Sequence, residues 1–292
     1  MELSTRMVKV TRFGEVVRFD LARTLLGKGR YWTTAYYFDG TMIDTGCPFS
    51  AEELVREVAG IPVGKILNTH SHEDHFGANR KLQRSHPEIQ IFAHHQALEV
   101  MSDPRRTQPL HPYRRVLWGW PDACQGSPLQ EGDTIRTAHS QLQVLYTPGH
   151  SRDHLCFLEP ARGWLFSGDL FVGGKDRALR SESDIWQIIA SLRRVAGLNL
   201  SLLFPGSARV RENPQAEIGE KIAYLEDLGS KVLDLNAQGR SAGEIVRELC
   251  GPPMPIEYIT LGHFSRKQLV LSYLRNPPLT PPTESAAALR LM

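Results

Sequence analysis

The chain has 292 residues, of which 41% are hydrophobic and 23% charged, and its formal net charge is +2. Such a chain can bury one large core and a smaller one, and its near-neutral charge gives no reason to favour nucleic acid as a partner. The four cysteines are scattered, which argues against disulfides. We see no apolar signal segment and no run of ~20 apolar residues, which argues against secretion and a membrane span. We therefore expect a cytoplasmic protein.

Strand and helix patterns alternate along the chain in two successive runs. The first run predicts, in order, strands at 7–10 and 32–38, a helix opened by a Ser50–Glu53 capping box, a strand at 65–69, a helix from about 74, a strand at 89–92 and a short helix from about 96. The second run predicts strands from 142 onward, a hairpin through 159–163, a helix at 185–195 and a strand at 201–204. Two such runs favour an α/β fold of the αββα type, with helices outside two facing sheets.

A segment rich in proline and aromatic residues, 103–132, separates the two runs. It has no clear period, and a long irregular connection in a compact domain is typically a functional lid or a disordered loop. Its aromatic content disfavours disorder. We expect a cap that offers Trp118 and Trp120 to a substrate; the alternative is a loop whose tryptophans cover the edge of the core.

The pattern changes in the last part of the chain. Apolar residues recur at helical spacing over 218–235, and a last helix over 265–275 precedes a proline-rich tail. We therefore divide the chain into a domain of residues 1–212 and a small helical C-terminal domain of residues 213–292.

The sequence H-S-H-E-D-H at 70–75, directly after a predicted strand, is the most informative motif of the chain. Imidazole and carboxylate groups are ligands of Zn²⁺, Fe and Mn²⁺. Alternate residues of an extended stretch share a face, so His70 and His72 can approach one ion together. Asp74 and His75, beyond the strand end, can reach a second ion beside it.

Two later strands end in residues of the same kind. The strand at 142–146 ends in T-P-G-H, where a Pro-Gly turn presents His150. The strand at 164–168 ends in S-G and is followed by Asp169. Together with the first motif, and in this order, they predict one metal site assembled from three strand ends.

These motifs resemble those of metallo-β-lactamase-fold hydrolases, which carry H-x-H-x-D-H, a later P-G-H turn and an aspartate after S-G. The resemblance implies an αββα metallo-β-lactamase sandwich with two metal ions. Asp74 and His75 would hold the second ion, Asp169 would bridge both, and three histidines would hold the first: His70, His72 and His150.

Other parts of the chain extend the resemblance. Asp44 lies in I-D-T-G, which resembles an early element of the family and implies a carboxylate that hydrogen-bonds a ligand imidazole. The helical C-terminal region resembles the glyoxalase-II-like and β-lactamase-like-protein-2 branch, some of whose members are endoribonucleases.

One position departs from the family pattern. The last ligand of the family is usually a histidine in P-G-H, and here the turn reads P-G-S, with Ser207 in its place. Neutral serine is a poor ligand, so we expect one ion to be held tightly and the second more weakly. We expect the metal to be zinc, with Fe or Mn as alternatives. Among the remaining histidines, His263 is the candidate for the missing ligand.

The motifs predict a metal-dependent hydrolase that uses a metal-bound hydroxide, with Asp74 and Asp169 as the catalytic carboxylates. The loop at 173–180 carries three basic residues that favour a small anionic ester or thioester. The alternatives are an endoribonuclease or phosphodiesterase, and a non-catalytic metal-binding regulatory protein with an impaired second site. The oligomeric state stays open.

Overall fold

The structure is a computed structural model that describes residues 8–25, 28–107, 111–275 and 277. Met7, which the sequence analysis placed in a strand, and the proline-rich tail beyond Pro277 lie outside the described residues. Within the described ranges, no helix is both long enough and apolar enough to cross a membrane.

The chain forms two compact units that exchange segments along the sequence. Unit 1 consists of Met1–Thr147, Arg152–Val172 and Asn199–Pro214, and unit 2 consists of Pro148–Ser151, Gly173–Leu198 and Gln215–Met292. Two internal segments thus cluster with the C-terminal helices. The division into domains of residues 1–212 and 213–292 stays a prediction.

Unit 1 contains a mixed sheet, sheet 1, whose seven strands are neighbours in chain order. The strands are β1 (Val8–Phe13), β2 (Val16–Leu25), β3 (Lys28–Phe38), β4 (Thr41–Ile43), β5 (Lys65–Leu67), β6 (Gln90–His94) and β7 (Ser127–Leu129). Pairing is antiparallel from β1 to β4 and parallel from β4 to β7. The parallel part of the sheet contains the strand that precedes the motif at 70–75.

Sheet 2, also in unit 1, has five strands in the order β13-β11-β10-β9-β8. They are β8 (Thr134–Arg136), β9 (Gln141–Tyr146), β10 (Leu155–Glu159), β11 (Trp164–Gly168) and β13 (Leu202–Pro205). Only β11 and β13 run parallel to each other; the other neighbours are antiparallel. Both predicted strands that end in ligand-type residues, β9 and β11, therefore belong to sheet 2.

Unit 1 contains the helices α1 (Ala51–Val58), α2 (Asn79–Ser85), α3 (His95–Ser102), α4 (Pro104–Thr107) and α5 (Pro112–Leu117). The first three pack against one face of sheet 1. Leu54 of α1, Leu82 of α2 and Met101 of α3 are fully buried in one apolar cluster with Met42 and Ile66 of the sheet. The predicted alternation of helices and strands in this half is thus present.

The other face of sheet 1 packs against sheet 2. A second buried cluster contains Ile43 and Leu67 of sheet 1 with Phe157, Phe166 and Phe204 of sheet 2. Ile43 and Leu67 directly follow Met42 and Ile66, which face the helices. Successive residues of a strand point to opposite faces, so one strand serves both clusters. The two sheets form the sandwich that the sequence predicts.

Unit 2 is mainly helical. It contains α6 (Ile185–Ala196), nearly all of α7 (Pro214–Ala237), α8 (Ala242–Leu249), α9 (Pro255–Ile259), α10 (Arg266–Leu274) and the pair β12 (Leu179–Arg180) and β14 (Phe264–Ser265). Asp184 caps α6 by accepting from the N–H groups of Trp186 and Gln187. Ser241 and Glu244 form a reciprocal capping box at α8.

The capping box predicted for Ser50 and Glu53 is wrong. A 3₁₀ turn, Pro48–Ser50, precedes α1, and no side chain caps the helix. Ser50 Oγ donates to the carbonyl of Cys47 at 3.1 Å. The proline turns the chain early, and this places the serine hydroxyl against the preceding turn instead of the helix N–H groups.

Two further segments differ from the sequence prediction. The helix predicted from about residue 74 begins at Asn79, because the residues before it form turns. The segment at 103–132, predicted to be irregular, contains α4, α5 and β7. Each of these elements is shorter than eight residues, which is too short for a periodic pattern to show in the sequence.

Candidate metal centre

Loops that follow four strands of unit 1 carry the candidate ligands and their neighbours. β4 runs parallel to β5, and β11 runs parallel to β13. Asp44 follows β4, the motif at 70–75 follows β5, Asp169 follows β11 and Gly206 follows β13. Functional groups of open sheets collect beyond the carboxyl ends of parallel strands.

Three of the predicted ligands meet within unit 1. His70, His75 and Asp169 each offer one ligand atom, and these atoms lie within 4.8 Å of one another. Nε2 of His75 is 3.6 Å from Oδ2 of Asp169. Two ligands bound to one zinc ion by bonds of ~2.1 Å at a tetrahedral angle are ~3.4 Å apart. The distance between His75 and Asp169 therefore fits two ligands of the same divalent ion.

Asp44 fixes the orientation of His75. Its Oδ2 lies 2.8 Å from Nδ1 of His75. Oδ1 accepts from the backbone N–H of Thr69 at 2.8 Å, and Oδ2 accepts from the Thr69 hydroxyl at 2.7 Å. Asp44 itself has a φ of 57°, in the left-handed region that Asp adopts more readily than most residues. This backbone turn directs the carboxylate onto His75.

Two carboxylates determine the charge of His75. Burial lowers the pKa of this imidazole, but Asp169 and Asp44 outweigh burial and raise the pKa well above its usual range. Nε2 is buried and has no hydrogen-bond partner among the residues that the structure describes. A site that holds a proton on this nitrogen also suits a metal cation, which must displace that proton on binding. On this observation, the residues fit a divalent metal ion.

Thr69 determines which nitrogen of His70 carries the proton. The Thr69 hydroxyl donates to Asp44, so Thr69 Oγ1 accepts from Nδ1 of His70 at 3.0 Å, and we assign the proton to Nδ1. Nε2 of His70 then presents a lone pair, and it lies 2.9 Å from Nδ1 of His72. Two ring nitrogens this close require a proton or a cation.

His154 positions the backbone of Asp169. The N–H of Asp169 donates to Nε2 of His154 at 3.1 Å. The proton of His154 is therefore on Nδ1, which donates to the Thr147 hydroxyl oxygen at 2.9 Å. Because His154 is fully buried and both ring nitrogens are engaged in this way, it orients the ligand strand end.

Gly206 leaves room for two of the ligands. A Cβ at this position would lie 2.4 Å from Oδ1 of Asp169 and 2.9 Å from Cε1 of His75. Its backbone is tied on both sides, since its N–H donates to Gly168 and its carbonyl accepts from Thr34, each at 2.7 Å. The sequence motif predicts a role for the serine of this turn and none for the glycine. The signal was the Pro-Gly pair at a strand end.

The backbone of the motif loop is held from elsewhere in the chain. The N–H of His75 donates to the carbonyl of His72 at 2.9 Å and closes a four-residue turn. The N–H of Ser71 donates to Oδ2 of Asp153 at 2.9 Å. No sequence motif indicates Asp153, which is separated from Ser71 by 82 positions.

Two other predicted residues of unit 1 lie nearby without joining the group. Asp74 is buried, at 7% exposure, but belongs to no cluster of three close ligand atoms in the described part of the chain. Ser207 is half-buried in the turn after Gly206. Ligation by Asp74 and by Ser207, and catalysis by Asp74, stay predictions.

The remaining predicted ligands, His150 and His263, belong to unit 2. The carbonyl of His150 accepts from the Ser183 hydroxyl at 2.9 Å. Nε2 of His263 lies 2.8 Å from Oε2 of Glu182. Burial raises the pKa of Glu182, but the hydrogen bond from His263 and the charge of Arg180 outweigh it and lower the pKa to about 2. His263 thus contacts Glu182, and ligation by either histidine stays a prediction.

Comparison with known sequences identifies relatives. A sequence profile described as Metallo-beta-lactamase superfamily matches residues 36–207, more than half of the chain. Lactamase-like protein aptB of Emericella nidulans is 28% identical over 227 residues, 75% of this chain and 65% of the relative. Thioesterase pkgB of the same organism is 31% identical over 169 residues, 56% of this chain and 41% of the relative. A hydroxyacylglutathione hydrolase of Synechococcus sp. is 32% identical over 160 residues, 52% of this chain and 53% of the relative.

Each of these relatives extends beyond the matched region, and the chain spans 41% to 65% of their lengths.

Among solved structures, a metallo-beta-lactamase family protein of Thermus thermophilus superposes with a TM-score of 0.64 at 18% identity, covering 89% of this chain and 92% of that protein. TTHA1623, solved in a di-iron-bound form, is 27% identical with a TM-score of 0.53, covering 64% of this chain and 93% of that protein. The chain therefore has the αββα metallo-β-lactamase fold with a helical C-terminal region, and it belongs to the metallo-beta-lactamase superfamily.

Proposed function

We propose that this chain is a metal-dependent hydrolase of small anionic esters or thioesters. The buried group of His70, His75 and Asp169 carries the proposal, because a carboxylate stands on each side of His75 and its Nε2 atom lacks a hydrogen-bond partner in the described residues. Such an arrangement favours a cation at this point.

The proposed ligand set follows the sequence motifs. Asp74 and His75 would hold the second ion, Asp169 would contribute to both, and three histidines would hold the first: His70, His72 and His150. Zinc suits this mixture of imidazole and carboxylate, with the second ion weaker because Ser207 supplies no imidazole. Iron is the alternative, and the di-iron form of TTHA1623 supports it.

When bound, a divalent ion supplies a water-derived nucleophile at neutral pH and polarises the scissile bond. The protein groups orient this chemistry. Asp44 holds His75, and His154 holds the backbone of Asp169, so that the Asp169 carboxylate stays in one place. From that place Asp169, together with Asp74, would orient the attacking water.

The substrate class rests on the relatives and on one loop. Two relatives bear the names thioesterase and hydroxyacylglutathione hydrolase, and an acylglutathione is itself a thioester. The loop at 173–180 carries Lys175, Arg177 and Arg180. These cations support an anionic substrate, because guanidinium and ammonium groups bind carboxylate or phosphate.

Metal analysis followed by a substrate panel tests the proposal. The purified chain should contain about one or two equivalents of zinc or iron, as such a site requires, and should cleave chromogenic thioesters faster than esters, lactones or bis-phosphodiesters. His75→Ala should lose metal and activity, while His139→Ala, at an 89% exposed side chain, should keep both. Protein without metal would contradict the metal centre. Cleavage of phosphodiesters alone would contradict the substrate class, and metal without any hydrolysis would favour a regulatory protein.

A further inference from the structure

A buried ion pair joins the motif loop to helix α5. Nε of Arg114 donates to Oε1 of Glu73 at 2.8 Å, and Nη2 donates to Oε2 at 2.6 Å. The Arg114 side chain is 2% exposed and the Glu73 side chain 0%. The two residues are 41 positions apart. One two-pronged contact therefore connects the loop that carries four candidate ligands with the segment at 103–132.

Glu73 occupies an unusual place for a buried charge. The hydrogen bond from the N–H of His75 to the carbonyl of His72 makes Glu73 and Asp74 the central residues of a turn. Central residues of turns normally face water. Here the side chain points into the protein, and candidate ligands precede and follow it directly. The orientation of Glu73 therefore sets the path of the backbone that carries them.

Stability alone does not account for this pair. Burying two charges costs desolvation free energy, and replacing a buried pair by apolar residues often leaves stability unchanged or raised. A bidentate guanidinium–carboxylate contact instead supplies geometry, because two parallel hydrogen bonds fix both distance and orientation. Lysine offers a single point charge and cannot reproduce this.

We propose that Arg114 is a positioning residue of the metal centre: through Glu73 it fixes the turn between His72 and His75 and couples metal retention to the order of α5. The inference rests on the proposed metal-dependent function. Coupling is reciprocal, so a metal ion held by the loop must stabilise the α5 contact as much as that contact stabilises metal binding. Helix α5 is thereby anchored to the site and is not a freely opening lid.

Zinc affinity of matched variants tests the positioning role. Arg114→Met leaves the Glu73 carboxylate buried without its guanidinium partner. Arg114→Lys keeps the positive charge but loses the two parallel hydrogen bonds. The double variant Glu73→Met/Arg114→Met removes both charges. In competition with a chromogenic chelator, the double variant should bind zinc about 10–100-fold more weakly than wild type, the usual effect of losing a residue that supports a ligand. Its Tm should stay near that of wild type. Arg115→Met, at the exposed neighbouring position of the same helix, should bind zinc as wild type does.

Hydrogen exchange of wild-type protein supplies a measurement that needs no variant. Amides of α5 should exchange more slowly with zinc than without it, and the double variant should lose this difference. If wild type binds no zinc, the proposed metal centre itself fails. If wild type binds zinc but exchange in α5 does not respond, or if a folded double variant binds zinc as tightly as wild type, the positioning role is overturned. If the double variant does not fold, hydrogen exchange in α5 of wild-type protein tests the positioning role by itself.

Discussion

Two Pro-Gly turns at strand ends use their glycine in different ways. In the turn at 148–150, Gly149 has a φ of 131°, and a Cβ there would lie 2.4 Å from the backbone nitrogen of Ile188. In the turn at 205–207, Gly206 is not among the described glycines with a positive φ, and its missing Cβ makes room for two candidate ligands. The same dipeptide thus supplies a backbone conformation in one turn and space for the site in the other.

The two turns also differ in the residue that follows glycine. The first presents His150 and the second presents Ser207. The first turn is fastened by side chains of its own unit, since Ser191 donates to the carbonyl of Pro148 at 2.8 Å and Ser183 donates to that of His150. The glycine of the first turn thus serves the backbone of its turn, whereas the glycine of the second makes room for candidate ligands.

Gly206→Ala should have the largest effect. The added methyl displaces the Asp169 carboxylate or the His75 ring, and a displacement of ~1 Å at a reacting centre costs about 100-fold or more in kcat/KM. Retained metal, measured by mass spectrometry of dialysed protein, should fall in parallel. Gly60→Ala is the matched control, because a Cβ there meets nothing within 4 Å. Full metal and full rate in Gly206→Ala would refute the role of this glycine.

Gly149→Ala should mainly reduce stability. An alanine forced into this conformation costs about 1–3 kcal/mol, before the contact with Ile188 is counted. Thermal unfolding should show the loss as a lower Tm. Gly219→Ala, in α7 with open space around it, should leave Tm unchanged or raise it. An unchanged Tm in Gly149→Ala would show that this turn does not need its glycine.

Ser207→His should give the second turn the Pro-Gly-His sequence of the first and strengthen metal binding. An added imidazole completes the second ion's ligand set, so metal retained after dialysis should rise from about one towards two ions per chain. His263→Ala is the companion variant: if His263 already serves as a ligand, wild type holds two ions and this variant releases one. Two tightly bound ions in both wild type and His263→Ala would contradict the weak second site and the substitute ligand together.

Ser183→Ala should have the smallest effect. It removes the hydrogen bond to the His150 carbonyl from a buried hydroxyl, a loss of about 0.5–1.5 kcal/mol in unfolding free energy. Urea denaturation measures it. No change in the unfolding midpoint would mean that the hydrogen bond from Ser183 does not stabilise the first turn.

The parts of the molecule that depend on local spacing could be predicted from the sequence. Apolar patterns predict six strands and the hairpin of β10 and β11, but not β2, β4, β7 or β8, and clustered histidines identify the loop after β5. The six are β1, β3, β5, β6, β9 and β13. His75 and Asp169 do meet in the structure, and the prediction that named them rested on motif chemistry and on a family resemblance.

The parts that depend on distant contacts could not be predicted. Nothing near Glu73 in the sequence indicates Arg114, and nothing near Ser71 indicates Asp153, because each pair forms only when separate loops fold together. Gly206 reads as an ordinary turn residue until the positions of its neighbours are known. The late start of α2 has a similar cause, since the turns before it follow the geometry of the motif loop.

The exchange of segments between the units has a consequence for how the chain is made. The chain passes from one unit to the other five times, so neither unit corresponds to a continuous fragment. During synthesis β13 emerges after α6, although its sheet partner β11 emerges before it. Sheet 2 and the Gly206 side of the metal centre are therefore completed only after α6 of unit 2 has been synthesised, and before the C-terminal helices of that unit are. A truncation after residue 213 would leave α6 without α10, whose Tyr273 packs against Trp186 and accepts a hydrogen bond from its indole N–H.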